Sequence, residues 1–400
     1  MNVYEKRGIP TIINAAGTLT RLSGGIMRPE VAAAMADASA YTVDMATLQG
    51  HACETIAEIT GAEAGYVTSG SAAGLLIGTA ACMTGFNVAA MDRLPDTAGV
   101  KNEVIIPRSH RNSYDHAVRT TGARLVEVGL PDRASGAGVR DTEAWDIANA
   151  ITERTAAVYY VATAESQPPL SEAVKVAHAA GVPVLVDAAA ELPPQANLRR
   201  FIEEGADLVV FSGGKAIGGP QASGILCGRQ HLVSAAALQH LDMDVFAELW
   251  EPPASLIDRT ALSGVPRHGI GRPCKTGKEE IIGLLTALEL FVAEGDAARH
   301  ARWLTDVRAI ADRLADLSAA DVTITGDSDV TAVPKVSLRL TADDPTKAAA
   351  DLQHQLLERG PPIHLDMVNY RSGVIVISPM CLKPGDAVTA ADVITTLLRR

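Results

Sequence analysis

The stretch from Val184 to Gly224 constrains the fold of this chain more than any other. It reads VLVDAAAELPP, then a helix-like spacer, then DLVVFSGGKAIGGPQASG. The two short Val- and Leu-rich runs have the pattern of strands buried on both faces. The spacer between them, Asn197 to Ala206, has room for one crossover. Asp187 ends the first run and Lys215 lies just past the second. Neighbouring parallel strands joined in this way bring their tips to one edge of a sheet, where open α/β sheets bind ligands.

The surrounding pattern agrees. Further strands are expected at Ala64–Thr68, Glu103–Pro107, Ala123–Val128, Ala156–Ala162, Val182–Asp187, Asp207–Phe211 and Gly224–Cys227, with helical patterns between most of them. That alternation predicts an α/β fold with a large, mostly parallel sheet wrapped on both faces. Residues 1–45 read as an arm and a first helix opened by Pro29, and residues 46–290 as the large domain. A long helix, unbroken or broken along its length, is expected from Thr276, with Glu279 completing a capping box, to about Leu317. Residues 291–400 read as a smaller α+β domain. Its strands are expected at Val322–Thr325, Lys335–Leu340, Ile363–Met367 and Gly373–Ile377, with helices at Thr346–Arg359 and Thr389–Arg399.

Composition narrows the function. A net charge of −12 with no basic run argues against a nucleic-acid partner, because phosphate backbones are bound by excess Lys and Arg. Five scattered cysteines without a C-x-x-C pair read as free thiols in a reducing, cytoplasmic setting. The first residues lack the apolar core of a signal peptide, and no metal-ligand spacing is present, so no metal is expected. The apolar run from Ala72 to Met91 carries Gly, Thr and Asn, which favours a buried helix and its following loop over a membrane span.

An acid at one strand tip and a lysine past the next are what pyridoxal 5'-phosphate chemistry needs. The lysine amine forms a Schiff base with the cofactor aldehyde, and the carboxylate pairs with the pyridinium nitrogen. Lys215 and Asp187 are assigned these roles, although a solvated lysine in a glycine-rich turn and a turn-capping Asp are the plain alternatives. Ala189 offers a small surface for a flat ring. Ser69, Gly70 and Ser71, between a strand and an apolar helix, form a natural phosphate seat. Ser212 is a second phosphate contact. His110, in the loop after EVIIP, is placed beside the ring or in proton transfer. Arg272 (GIGRPCKTGKEE) and Arg371 (NYRSGV) are candidates for a substrate carboxylate, with Lys275 and Lys278 available for a further anionic group.

INAAGTLTRLSGG, TGAEAGYVTSGSAAG, VPVLVDAAAELPP, SGGKAIGGPQASG and GRPCKTGKEEIIGLL occur in this order across residues 8–290. Together they resemble the selenocysteine-synthase-related branch of fold-type-I pyridoxal phosphate enzymes, and within it the D-glucosaminate-6-phosphate ammonia-lyase-like proteins. The resemblance implies a large cofactor domain, a small C-terminal domain and an active site at a homodimer interface. It implies pocket roles for Asn14, Thr18 and Arg272, some donated by the partner subunit. A tRNA substrate is not expected, because INAAGT begins at Ile13 and leaves no room for an N-terminal tRNA-binding region. The implied reaction is lyase chemistry on a small hydroxy amino acid or amino sugar acid, giving a 2-oxo acid and ammonia. Racemisation, with His110 as the second proton donor, and transamination stay open, as does a non-catalytic cofactor-binding scaffold.

Overall fold

The computed structural model describes residues 1–130 and 141–399. They form two units. One comprises Met1–Met27, Pro193–Gln195 and Leu290–Arg400, and the other Arg28–Leu192 and Ala196–Glu289.

The larger unit is built on a seven-stranded sheet. Its strands are β2 (Ala64–Thr68), β3 (Glu103–Pro107), β4 (Arg124–Val128), β5 (Thr155–Val161), β6 (Val184–Asp187), β7 (Leu208–Ser212) and β8 (Gly224–Gly228), ordered β2-β8-β7-β6-β5-β3-β4. From β7 to β4 every neighbouring pair is parallel, whereas β8 runs antiparallel to both β2 and β7. The parallel core follows from continuous apolar runs such as VLVD and EVIIP, all of whose residues are buried.

Helices α1 (Pro29–Ser39), α2 (Met45–Thr60), α3 (Ser71–Thr84), α4 (Val88–Met91), α5 (Asp115–Thr120), α6 (Ala144–Ala150), α7 (Leu170–Ala179), α8 (Asn197–Glu203) and α9 (Gln230–His240) complete this unit, with the first turns of α10 (Lys278–Leu314). The apolar run after Ala72 is α3, buried nearly all round. It packs on the sheet so closely that a Cβ at Gly74 would lie 2.9 Å from Val210 Cγ1. No helix among the described residues is long and apolar enough to cross a membrane.

One expectation is corrected. The helix α10 begins at Lys278, one turn-residue past Gly277, so the Thr276–Glu279 capping box is not made. Glu279 instead pairs with Lys278, and the buried Thr276 hydroxyl has no hydrogen-bond partner among the described residues. Of the unbroken and broken courses expected for this helix the structure has the broken one, interrupted at Gly295, whose φ of 69° and ψ of 165° are not helical.

The smaller unit contains β1 (Ile13–Ala15) paired in parallel with β11 (Ile363–Leu365), and an antiparallel sheet of β9 (Ala320–Thr325), β10 (Lys335–Leu340) and β12 (Val374–Ile377). Alternation along β10 turns Val336, Leu338 and Leu340 inward. They meet α11 (Pro345–Leu357), α12 (Asp386–Leu398) and the later turns of α10 through Leu352, Ile394 and Val307.

Candidate active site

The sheet register gathers the predicted residues. Thr68, Gly224 and Ser212 lie side by side on β2, β8 and β7, and Asp187 and Val161 lie side by side on β6 and β5. With strands about 4.8 Å apart, the turn after β2, the loop after β7 and the tip of β6 occupy one short edge of the sheet. Ser69–Ser71, Ser212, Lys215, Asp187 and His110 all belong to that edge.

Asp187 is buried at the tip of β6. Its Oδ2 accepts from the Tyr159 hydroxyl at 3.2 Å and its Oδ1 from the Ala189 N–H at 3.0 Å. Burial raises its carboxyl above the ordinary range, opposed by those two hydrogen bonds and by the Lys215 charge. Lys215 is half-buried in the loop between β7 and β8. Burial pulls its ammonium below the ordinary lysine range, outweighing the opposite pull of Asp187 and Glu191. Both shifts favour the neutral forms, and the neutral form is the one in which an amine acts as nucleophile and base.

Glycines let this loop fold tightly. The Gly213 N–H bonds the Ser223 carbonyl at 2.9 Å, and the Gly219 N–H bonds the Gly213 carbonyl at 2.9 Å. A Cβ at Gly213 would lie 2.2 Å from Ser223 Oγ and 2.6 Å from Leu284 Cδ1 of α10.

The AAAELPP segment that follows Asp187 carries one charge, at Glu191. This half-buried acid lies one turn past Asp187, its N–H bonded to the Ala188 carbonyl at 3.1 Å and its carbonyl to the Asn197 amide at 2.6 Å. Burial raises its carboxyl, and its charge acts on Lys215. The charge in an otherwise alanine- and proline-rich loop was the available signal.

Ser69, Gly70 and Ser71 form the entry to α3. Gly70, at φ 120°, is its N-cap residue, and Gly224 abuts it so closely that a Cβ would sit 2.6 Å from the Gly70 carbonyl carbon. The open amides of the first turn of α3 follow. The Ser69 hydroxyl donates to the Cys274 carbonyl at 2.8 Å, which leaves its lone pairs and not its hydrogen for a ligand. Ser212 ends β7, half-buried.

His110 is buried in a short 3₁₀ turn after β3. Its Nδ1 accepts from the Val161 N–H at 3.3 Å, so the hydrogen of the neutral ring resides on Nε2. The ring meets Tyr160 edge-on, with centroids 4.6 Å apart.

Arg272 pairs with Asp242 and lines a cavity of about 370 Å³ together with Ser69, His240, Lys275 and Thr276. The exposed Asp242, Asp244 and His268 also converge, with ligand atoms within 4.8 Å, but Asp242 is engaged by Arg272 and Asp244 by His268. The remaining predicted residues belong to the smaller unit. Asn14 is buried on β1, its amide bonded to the Gly17 carbonyl at 3.0 Å and its oxygen to the Ala16 N–H at 3.1 Å. Thr18 is half-buried beyond Gly17, and Arg371 is exposed in a 3₁₀ turn, where it hydrogen-bonds Tyr370.

Residues 12–243 match the family described as L-seryl-tRNA selenium transferase. The chain belongs to this family. Its relatives include a 5'-C-glycyluridine monooxygenase-decarboxylase from a Streptomyces species, 32% identical over 391 residues and covering 95% of this chain and 88% of that protein. A D-glucosaminate-6-phosphate ammonia lyase from Salmonella typhimurium is 30% identical over 393 residues, covering 96% of this chain and 95% of that protein. A solved structure of D-glucosaminate-6-phosphate ammonia-lyase superposes over 100% of both chains with a TM-score of 0.79 at 28% identity. This family member has the fold-type-I architecture, and it is an enzyme whose cofactor is pyridoxal 5'-phosphate.

The residues present fit that cofactor. A buried carboxylate, a desolvated lysine and a helix N-terminus opened by glycine supply the three donor types that a pyridine nitrogen, an aldehyde and a phosphate require.

Proposed function

We propose that the protein is an ammonia-lyase. It takes the α-proton from a small hydroxy amino acid or amino sugar acid, expels the β-hydroxyl, and releases a 2-oxo acid and ammonia. The observation that carries this reading is the half-buried Lys215 amine, its pKa lowered by burial, at the same sheet edge as the buried Asp187. The full-length likeness to an ammonia lyase supports elimination as the outcome.

When bound, pyridoxal 5'-phosphate supplies an aldehyde for amino groups and a conjugated ring that accepts the electron pair left behind by the α-proton. The backbone N–H groups of Ser69, Gly70 and Ser71 and the hydroxyl of Ser212 would hold the phosphate, and Ala189 would offer its small surface to the ring. Asp187 pairs with the ring nitrogen, fixed for that task by Tyr159 and the Ala189 N–H. His110 presents its Nε2–H beside the ring. Lys215 Nζ takes the α-proton as the C–H bond breaks. The β-hydroxyl departs as water with the proton that Lys215 Nζ took, and the enamine left after release tautomerises and is hydrolysed by water to the keto acid and ammonia. Arg272 grips a substrate carboxylate, with Lys275 beside it for a second anionic group.

The working unit in this reading is at least a homodimer in the cytoplasm, with Asn14, Thr18 and Arg371 contributing to substrate binding. Exposed Val3, Tyr4, Ile9 and Ile26 in the N-terminal arm support a partner surface there. Nucleic acid has no role in it, in keeping with the net charge of −12.

The test is a spectrum followed by product analysis. A band near ~420 nm that borohydride abolishes and Lys215→Ala lacks is expected. Incubation with D- and L-3-hydroxy amino acids and with D-glucosaminate 6-phosphate should then release ammonia and a keto acid in equal amounts. Carbon dioxide release with oxygen uptake would assign the enzyme instead to the reaction type that the Streptomyces relative's name describes. Deuterium entering the α-position without ammonia would make it a racemase.

A further inference from the structure

The loop that carries Arg272 is fastened to the C-terminal end of α9. The Gln239 side-chain oxygen accepts from the Ile270 N–H at 3.1 Å, and its carbonyl accepts from the Gly271 N–H at 2.9 Å. No side chain fits between them. A Cβ at Gly269 would lie 2.3 Å from Gln239 Cα, and one at Gly271 would lie 2.5 Å from Ile77 Cγ2 of α3.

His240 continues this attachment. Its ring is buried, with Nδ1 2.9 Å from the Tyr66 hydroxyl and Nε2 2.8 Å from the Cys274 carbonyl. A carbonyl can only accept, so Nε2 carries the hydrogen, Nδ1 is the acceptor and the Tyr66 O–H is the donor. Burial keeps the Tyr66 phenol protonated and, aided by the nearby Arg272 charge, lowers the imidazolium of His240. One neutral tautomer therefore satisfies both bonds.

The Cys274 carbonyl has a second donor, the Ser69 hydroxyl at 2.8 Å. A single backbone oxygen thus joins three segments: the turn after β2, the end of α9, and the loop from Arg272 to Thr276. Tyr66 is itself on β2, so that strand supports the loop twice. The cavity of about 370 Å³ is lined by Tyr66, Ser69 and His240 on one hand and by Arg272, Lys275 and Thr276 on the other.

We infer that His240 is a positioning residue for the substrate's anionic group. Braced by Tyr66, it holds the Cys274 carbonyl against Ser69, and this sets Arg272, Lys275 and the Thr276 hydroxyl, which has no hydrogen-bond partner among the described residues, around the cavity. The inference rests on the reading of Arg272 and Lys275 as anion contacts. Nothing reacts at His240. Its effect is on where the loop sits.

The experiment compares His240→Phe, His240→Gln and Tyr66→Phe as holoenzymes, with Arg272→Ala as the reference. Inorganic phosphate is titrated calorimetrically, and KM and kcat are measured with D-glucosaminate 6-phosphate. His240→Phe should weaken phosphate binding and raise KM by about tenfold, the loss expected for one buried hydrogen bond to the Cys274 carbonyl and a Tyr66 hydroxyl left without its acceptor, with kcat changed far less. His240→Gln, whose amide can still donate to the Cys274 carbonyl, should recover most of the affinity. If His240→Phe fails to fold, Tyr66→Phe carries the test, with an expected rise of a few fold in both constants. The inference is overturned if Arg272→Ala weakens phosphate binding while the His240 and Tyr66 variants leave it unchanged. If Arg272→Ala also leaves it unchanged, the fault lies in the anion-site reading on which the inference depends.

Discussion

The Tyr159 hydroxyl donates to Asp187 Oδ2 at 3.2 Å, across the neighbouring parallel strands β5 and β6. Tyr159 is fully buried, and burial together with the adjacent carboxylate drives its phenol far above the ordinary range. The phenol is therefore always a donor, and it steadies a carboxylate that would otherwise be buried with a single backbone hydrogen bond.

Removing that donor should loosen the cofactor. Tyr159→Phe leaves Asp187 with only the Ala189 N–H, and a hydrogen bond to a charged acceptor is worth about 1.5–3 kcal/mol. Cofactor affinity should fall roughly tenfold or more, read from the titration of the ~420 nm band.

Asp187 itself should cost stability in the empty protein. Its folded pKa is raised, so the folded state binds more protons than the unfolded chain between pH 3.8 and the raised value. The stability associated with the protonated acid is present below that window and is lost as pH rises through it. Asp187→Asn should therefore stabilise the apoprotein at pH 7 by on the order of 1 kcal/mol, while abolishing productive cofactor binding. Melting curves of both apoproteins at pH 7 and near pH 4 would check this, with the difference shrinking at the lower pH.

Glu191 should tune Lys215. Its charge raises the lysine pKa, so Glu191→Gln should lower it further. The rate at which the apoprotein captures pyridoxal 5'-phosphate follows the neutral amine. The midpoint of that rate against pH should move to lower pH in the variant, and a move upward or none would remove Glu191 from the site.

A methyl group at position 224 should damage the phosphate turn. The Cβ of Gly224→Ala would meet the Gly70 and Ser71 backbone at 2.6–2.7 Å, where nothing flexible can yield. A destabilisation of about 1–3 kcal/mol and weaker cofactor binding are expected, measured by denaturant titration and by the absorbance band.

Much of this architecture is legible in the sequence, for identifiable reasons. Strands β2, β3 and β10 have the predicted limits: EVIIP is a short apolar run ended by Pro, KVSLRL alternates apolar and polar residues after Pro334, and AGYVT stops at the Ser-Gly turn. Asp187 and Lys215 are visible because each directly follows such a run. What escaped depends on partners distant in the chain. Tyr66, Tyr159 and His240 look like ordinary core residues, and only the fold reveals that a hydroxyl on β2 meets a ring on α9. The direction of β8 is set by the turn after Lys215, and a short apolar run has no polarity of its own. The misplaced start of α10 has a local cause. Gly277 separates Thr276 from the helix, and the Thr276 side chain is buried in the loop before it.

The antiparallel course of β8 has a consequence for how the reactive amine is put in place. Ser212 and Gly224 face each other directly, so Lys215 rides on a hairpin closed by residues 213–223 and not on a connection threaded through a helix. The parallel pairs elsewhere in this sheet must close longer loops before any ladder bond forms. The chain entropy lost in closing a loop grows with its length. Lys215 is therefore presented by the most local pairing in the sheet, while its partner acid at position 187 must wait for crossovers on either side of it. The amine can reach its place in the backbone before the pocket exists around it.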